Sequence, residues 1–250
     1  MQFFEKYFLI VIGISILIIP NLNRQSKVIA AEPNYVIKHT TEKNFIDGNI
    51  TENDWSAVER VTPFVFPWYK EGKKEQTMVK LLWDEQFLYV LFQCEDEHIA
   101  AHHFERNSAV SRDDCVEIFI APNKKQPLWY ANYELNCLGT WLVGMNKGKD
   151  RKNWEPEGIL AGRSHKGTIN KEDDIDLFWL LEFAIPFKNF QEFGVKTPPQ
   201  DGDAWRLNLN RCGGDVNQQY SQWKASNTPQ PNYHRPQDFG TVVFSVKPVR

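Results

Sequence analysis

The chain has 250 residues, 42% hydrophobic and 14% aromatic, with 17 Phe, 9 Trp and 8 Tyr; this is enough apolar material for a packed core and too much for a disordered chain. The formal net charge is -3. Residues 1–30 carry Lys6, Arg24 and Lys27 against Glu5, so the remainder stands at about -5, which excludes the basic footprint of a nucleic-acid binder.

The first element is Phe8 to Ile19 (FLIVIGISILII), uncharged, preceded by Lys6 and followed by Pro20 and a polar stretch ending in Ala30-Ala31. This is the pattern of a secretory signal peptide over residues 1–31, cleaved near Ala30 or Ala31. The apolar run is short for a hydrocarbon layer about 30 Å thick, so an exported protein is expected (periplasmic, extracellular or at the cell surface) whose mature chain is not inserted in a membrane.

Tyr35 to Lys38 alternates, and the Asp47-Gly48 pair punctuates a turn. Thr77 to Trp83, Phe87 to Cys94, Cys115 to Ile120, Trp129 to Asn136 and Gly139 to Met145 are β-branched or aromatic and of strand length. Asp84-Glu85-Gln86 joins the first two as a hairpin. Leu177 to Ile185, Trp205 to Asn210 and Thr241 to Val246 complete the series, and Phe187 to Phe193 alone reads as a short helix. With no linker and no repeat, residues 32–250 are expected to form one all-β domain, an antiparallel, jelly-roll-like β-sandwich with one short helix.

Trp83, Trp141, Trp179 and Trp205 lie within apolar runs and are assigned to the core. Trp68 and Tyr69, after Pro67, and Trp154, before Glu155-Pro156, lie in polar loops and are candidate ligand platforms. The four cysteines (Cys94, Cys115, Cys137, Cys212) allow a bridge, with Cys115 to Cys137 the favoured pair, or equally four small buried thiols. Asp113 and Glu117 share one face of a strand and are the one acidic pair that could be read as a glycosidase couple. No nucleophile elbow, HExxH or phosphate-cradling loop accompanies them, and His98, His102 and His103 read as a polar loop.

The ordered set Asp47-Gly48, Trp55, Leu82-Trp83-Asp84-Glu85-Gln86-Phe87-Leu88-Tyr89-Val90, Arg112-Asp113-Asp114-Cys115-Val116-Glu117-Ile118-Phe119-Ile120, Tyr133-Glu134-Leu135-Asn136, Gly202-Asp203-Ala204-Trp205 and Arg235-Pro236-Gln237-Asp238-Phe239-Gly240 resembles the family 9 carbohydrate-binding modules over about residues 45–246. The resemblance implies a site in which two aromatic rings clamp a sugar while a carboxylate, amides and an arginine bind its hydroxyls. Glu117 matches the carboxylate, Asn210 the amide and Tyr233 one clamp ring. Ser111 stands where the other ring is expected, and Glu134 where the arginine is expected, with Arg112 or Arg211 available to replace it.

The implied function is a non-catalytic binder of an oligo- or polysaccharide, of use in polysaccharide catabolism. Structural calcium is implied too, with Asp113, Asp114, Asp173, Asp174 and Asp176 the carboxylates at hand. Two alternatives come with the fold: a haem carrier using methionine and lysine, for which Met78 and Met145 with Lys147 and Lys149 are present, and an accessory carbohydrate hydrolase.

Overall fold

The structure is a computed structural model, and it describes residues 34–41, 46–50, 53–152 and 154–249; the expected signal peptide lies outside them. The described residues form twelve strands: β1 Tyr35–His39, β2 Thr77–Trp83, β3 Phe87–Glu95, β4 Cys115–Ala121, β5 Trp129–Asn136, β6 Trp141–Lys147, β7 Asp150–Lys152, β8 Leu160–Lys166, β9 Phe178–Pro186, β10 Ala204–Cys212, β11 Tyr220–Gln222 and β12 Gly240–Pro248. One helix, α1 Asn53–Ala57, and the 3-10 turns Val110–Arg112, Phe187–Phe193 and Pro236–Asp238 accompany them.

The strands run in the order β7-β6-β5-β4-β10-β12-β1-β2-β3-β9-β8, with β11 paired to β10. Adjacent strands are antiparallel except that β1 lies parallel to both β12 and β2. The expected hairpins β2–β3 and β4–β5–β6 are present. β1 is joined to β2 by the long crossover that contains α1 and so is free to insert in parallel.

Side-chain alternation decides which face of each strand is apolar. On β4, Val116, Ile118 and Ile120 enter the same cluster as Ala131, Tyr133 and Leu135 of β5 and Trp205, Leu207 and Leu209 of β10. That cluster also holds Val79 and Leu81 of β2, Val90 and Phe92 of β3 and Leu181 and Phe183 of β9. The sheet therefore curls until its two halves enclose one core. Phe187, Phe190 and Phe193 of the 3-10 turn close one end, with Phe190 4.9 Å from Trp205 between ring centres. Gly194, at φ 69°, stops that turn in the left-handed region.

Trp83, Trp179 and Trp205 are buried as expected, whereas Trp141 is only partly buried, with the Arg106 guanidinium 5.0 Å from its ring. All four cysteines are buried free thiols. The favoured Cys115–Cys137 bridge is corrected by register: Asn136 is the strand partner of Cys115, so Cys137, one residue further, points to the opposite face and joins the central core. α1 escaped the sequence reading because five residues are too few to show helical periodicity; Trp55 anchors it, its indole donating to Glu182 Oε1 at 2.8 Å.

Candidate functional site

The residues of β4, β5 and β10 that point away from the core form a second, polar and aromatic face. Register aligns Gln222 of β11, Asn210 of β10, Glu117 of β4, Glu134 of β5 and Leu142 of β6 in one row across five strands. The row beside it runs Asn208, Phe119, Asn132 and Gly144. On the other side stand Cys212, Cys115 and Asn136.

Within the first row, Asn210 Nδ2 donates to Glu117 Oε2 at 3.3 Å and Cys212 Sγ donates to Oε1 at 3.4 Å. Asn132 Nδ2 donates to Glu134 Oε1 at 2.7 Å, and Asn146 Nδ2 donates to Asn132 Oδ1 at 2.7 Å. Asn210 Oδ1 is buried without a hydrogen-bond partner among the described residues. Glu117 and Glu134 are 3% and 5% exposed. Burial, and then the charge of Glu134, holds the Glu117 carboxyl well above the usual carboxylate range. Burial pushes Glu134 up to about 7, opposed by the charge of Arg151 and the bond from Asn132.

Arg151, on β7, was not found by sequence reasoning. Its guanidinium lies over Gly144, where an added Cβ would stand 3.0 Å from Nε and 3.2 Å from Nη2. A lone glycine inside a strand is the sequence signal that some group approaches closely, and here that group is an arginine reaching the carboxylate row.

The closing segment of the chain covers this face. Tyr233 is 7% exposed, and its hydroxyl donates to the carbonyls of Arg211 at 2.7 Å and Ser221 at 3.3 Å. His234 stands 4.8 Å from the Phe119 ring, and its Nδ1 pairs with the Tyr130 hydroxyl at 2.8 Å. Burial, with Arg151 second, pushes the imidazole down to about 4, so it is neutral at physiological pH. Trp68 lies 5.7 Å from Tyr233 between ring centres and donates its indole N–H to the Thr228 carbonyl at 2.7 Å.

Four of the six expected site residues, Glu117, Asn210, Tyr233 and Trp68, thus come together on one face and its edge. Trp154 does not. It is buried in the central core against Tyr133 (5.7 Å) and Phe193 (5.6 Å), with its indole donating to Glu192 Oε1 at 2.9 Å. The polar segment around it carries the ring inward, so the loop reading is corrected. Arg112 is exposed at the end of a 3-10 turn, and Arg211 points the other way, into the interior, paired with Asp96 at 3.0 Å and Glu75 at 3.5 Å. Met145 packs in the central core.

Asp113 and Asp114 are committed to the chain itself. Asp113 accepts from the backbone N–H groups of His102 and His103, from His103 Nδ1 and from Asn136 Nδ2. Asp114 accepts from the N–H groups of Ala100 and Gly214, and Asp176 from those of Ile99 and Thr168. Among the described residues no three His, Cys, Asp or Glu side chains converge as metal ligands.

Next to Trp68 and Tyr220 the surface opens into a cleft of about 1040 Å³ between residues 66–72, 216–220 and 228–231. The Tyr220 ring lies tilted against that of Tyr233, 6.5 Å between ring centres, so cleft and covered face share an aromatic wall.

The model of carbohydrate-binding family 9 matches residues 64–244. The chain belongs to carbohydrate-binding family 9. Among solved structures, this family 9 member resembles a protein from Bacteroides uniformis provisionally named as carbohydrate-binding, with a TM-score of 0.70 and 20% identity over 84% of this chain and 98% of that one. It also resembles a family 9 module from Caldicellulosiruptor kristjanssonii, in complex with cellotriose (TM-score 0.57, 17% identity, 85% and 94% covered) and with glucose (TM-score 0.58, 18% identity, 86% and 98% covered). At these identities the likeness is one of fold. Endo-1,4-beta-xylanase C of Paenibacillus barcinonensis is 23% identical over 194 residues, which span 77% of this chain and 16% of that enzyme.

Proposed function

We propose that this family 9 chain is an exported, non-catalytic binder of an oligo- or polysaccharide, acting outside the membrane in polysaccharide catabolism. The observation that carries the reading is the family 9 match over residues 64–244, with the Tyr233–Trp68 aromatic pair at the edge of the polar face. Planar polar groups that pair with hydroxyls, next to ring faces that pack on C–H groups, are what a sugar requires for capture from water. The cellotriose and glucose held by the Caldicellulosiruptor module make neutral glucans the first ligands to test.

Export rests on the leader over residues 1–31. The non-catalytic reading is supported by the burial of Glu117 and Glu134, the two carboxyls of the face, which leaves neither open to a glycosidic bond. Titration calorimetry with glucose, cellotriose and a wider glycan panel tests the function. Saturable heat with at least one glycan and no release of reducing sugar is expected. No heat with any of them refutes saccharide binding, and turnover refutes the non-catalytic reading.

A further inference from the structure

The covered face and the open cleft divide the work unequally. The row that the family resemblance marks for sugar contact is nearly sealed: Glu117, Glu134 and Tyr233 are 3%, 5% and 7% exposed, and Ser111 offers no ring with which to hold a sugar against Tyr233. The cleft on the far side of the Trp68–Tyr233 pair is open.

We propose that saccharide is received in this cleft, between residues 66–72, 216–220 and 228–231, and that the ligand is a neutral oligosaccharide several units long. This rests on the carbohydrate-binding reading and gives it a location and a ligand class.

Three features support the assignment. At about 1040 Å³ the cleft is at the upper end of the roughly 300 to 1,000 Å³ of small-molecule pockets, more than a single sugar fills. Its chemistry has the two parts that sugars need: aromatic faces on Trp68, Tyr69 and Tyr220, and amides on Gln218 and Gln230. Both glutamines are exposed, and among the described residues neither side chain has a hydrogen-bond partner, so their donors and acceptors are available to hydroxyls.

Finally, the aromatic wall is held before any ligand arrives. Trp68 is fixed by its bond to Thr228 and its packing on Tyr233. Tyr69, 43% exposed, donates its hydroxyl to the Gly72 carbonyl at 2.9 Å and carries the Lys74 ammonium 4.1 Å from its ring centre. Pro67, Pro229 and Pro231 stiffen the flanking loops. Side chains already ordered lose little entropy on binding. The charged residues lining the cleft, Lys70 and Glu71, cancel, so nothing there favours a uronate over a neutral sugar.

The test is calorimetric titration of glucose, cellotriose and longer cello-oligosaccharides against the full chain and the variants Tyr69→Ala, Gln218→Ala and Glu117→Gln. The cleft predicts affinity that rises with chain length and falls about tenfold or more, or 1.4 kcal/mol, in Tyr69→Ala and Gln218→Ala. Wild-type affinity in both of these variants, with binding lost in Glu117→Gln, overturns the cleft and leaves saccharide binding standing at the covered face. Absence of binding by the unaltered chain to every glycan overturns the carbohydrate reading, and the cleft with it.

Discussion

Glu117 of β4 and Glu134 of β5 stand directly opposite each other, both buried, and the charge that offsets Glu134 comes from Arg151, two strands away on β7 over Gly144. The arginine that the family resemblance leads one to expect at position 134 has been exchanged for a carboxyl, and a guanidinium has reached the same face from another strand. Two carboxyls this close and this dry do not both ionise readily.

This pair makes stability depend on pH in a defined direction. Because Glu134 is pushed up to about 7 from 4.5, the folded protein holds a proton there that the unfolded chain releases. Its contribution is therefore complete below about pH 4.5 and is lost as pH rises towards 7. In urea titrations the stability of Glu134→Gln relative to the parent should increase over that window. A difference that is flat or reversed contradicts the burial of an ionisable pair.

Arg151→Met removes the charge that opposes the rise and leaves the carbonyl and amide bonds of the row in place. The Glu134 carboxyl should then titrate at higher pH, read directly from its side-chain carbon resonance. Gly144→Ala should act in the same direction, since its Cβ would crowd the guanidinium at 3.0 Å and Asn132 Oδ1 at 2.7 Å. No movement of the resonance in either variant would place Arg151 elsewhere.

Arg211 is fully buried between Asp96 and Glu75, and Asp114 nearby is held above the usual carboxylate range by burial and by the charge of Asp96. Arg211→Met leaves these carboxyls without their cation and should cost about 3 to 5 kcal/mol in chemical denaturation, the usual penalty for breaking a buried pair from one side. A loss below about 1 kcal/mol would show that the carboxyls find protons or water instead.

The four thiols are buried, and burial raises each of their pKa values. A thiol reagent should therefore modify none of them in the native protein and all four after denaturation without reductant. Two missing thiols would reveal a bridge, and the position of Cys115 beside Cys212 in register makes that pair the one to map first.

The strands that carry the core were legible because an alternating row of Val, Ile, Leu and aromatics has few other uses; β4, with Val116, Ile118 and Ile120 on one face, is an example. Strands β7 and β8 lacked that signal, since Asp150–Lys152 is exposed throughout and Leu160–Lys166 nearly so. Arg151 was missed with β7 for the same reason. Asn210 and Glu117 were found from the family pattern and meet in register. Trp154 was misplaced because polar neighbours in the sequence say nothing about which way one ring turns once the chain crosses the open end of a core. The covering of Glu117 by the Tyr233 segment depends on contacts more than a hundred residues apart, which no local pattern records.

The most direct test of saccharide recognition is an NMR titration of isotope-labelled protein with cellotriose. Binding predicts saturable shifts of the Trp68 indole N–H and of the Gln218 and Gln230 side-chain amides, with the Trp179 indole of the central core unmoved. No saturable shift of any amide or indole signal of the protein at millimolar cellotriose, or at equal concentrations of other neutral oligosaccharides, would contradict it.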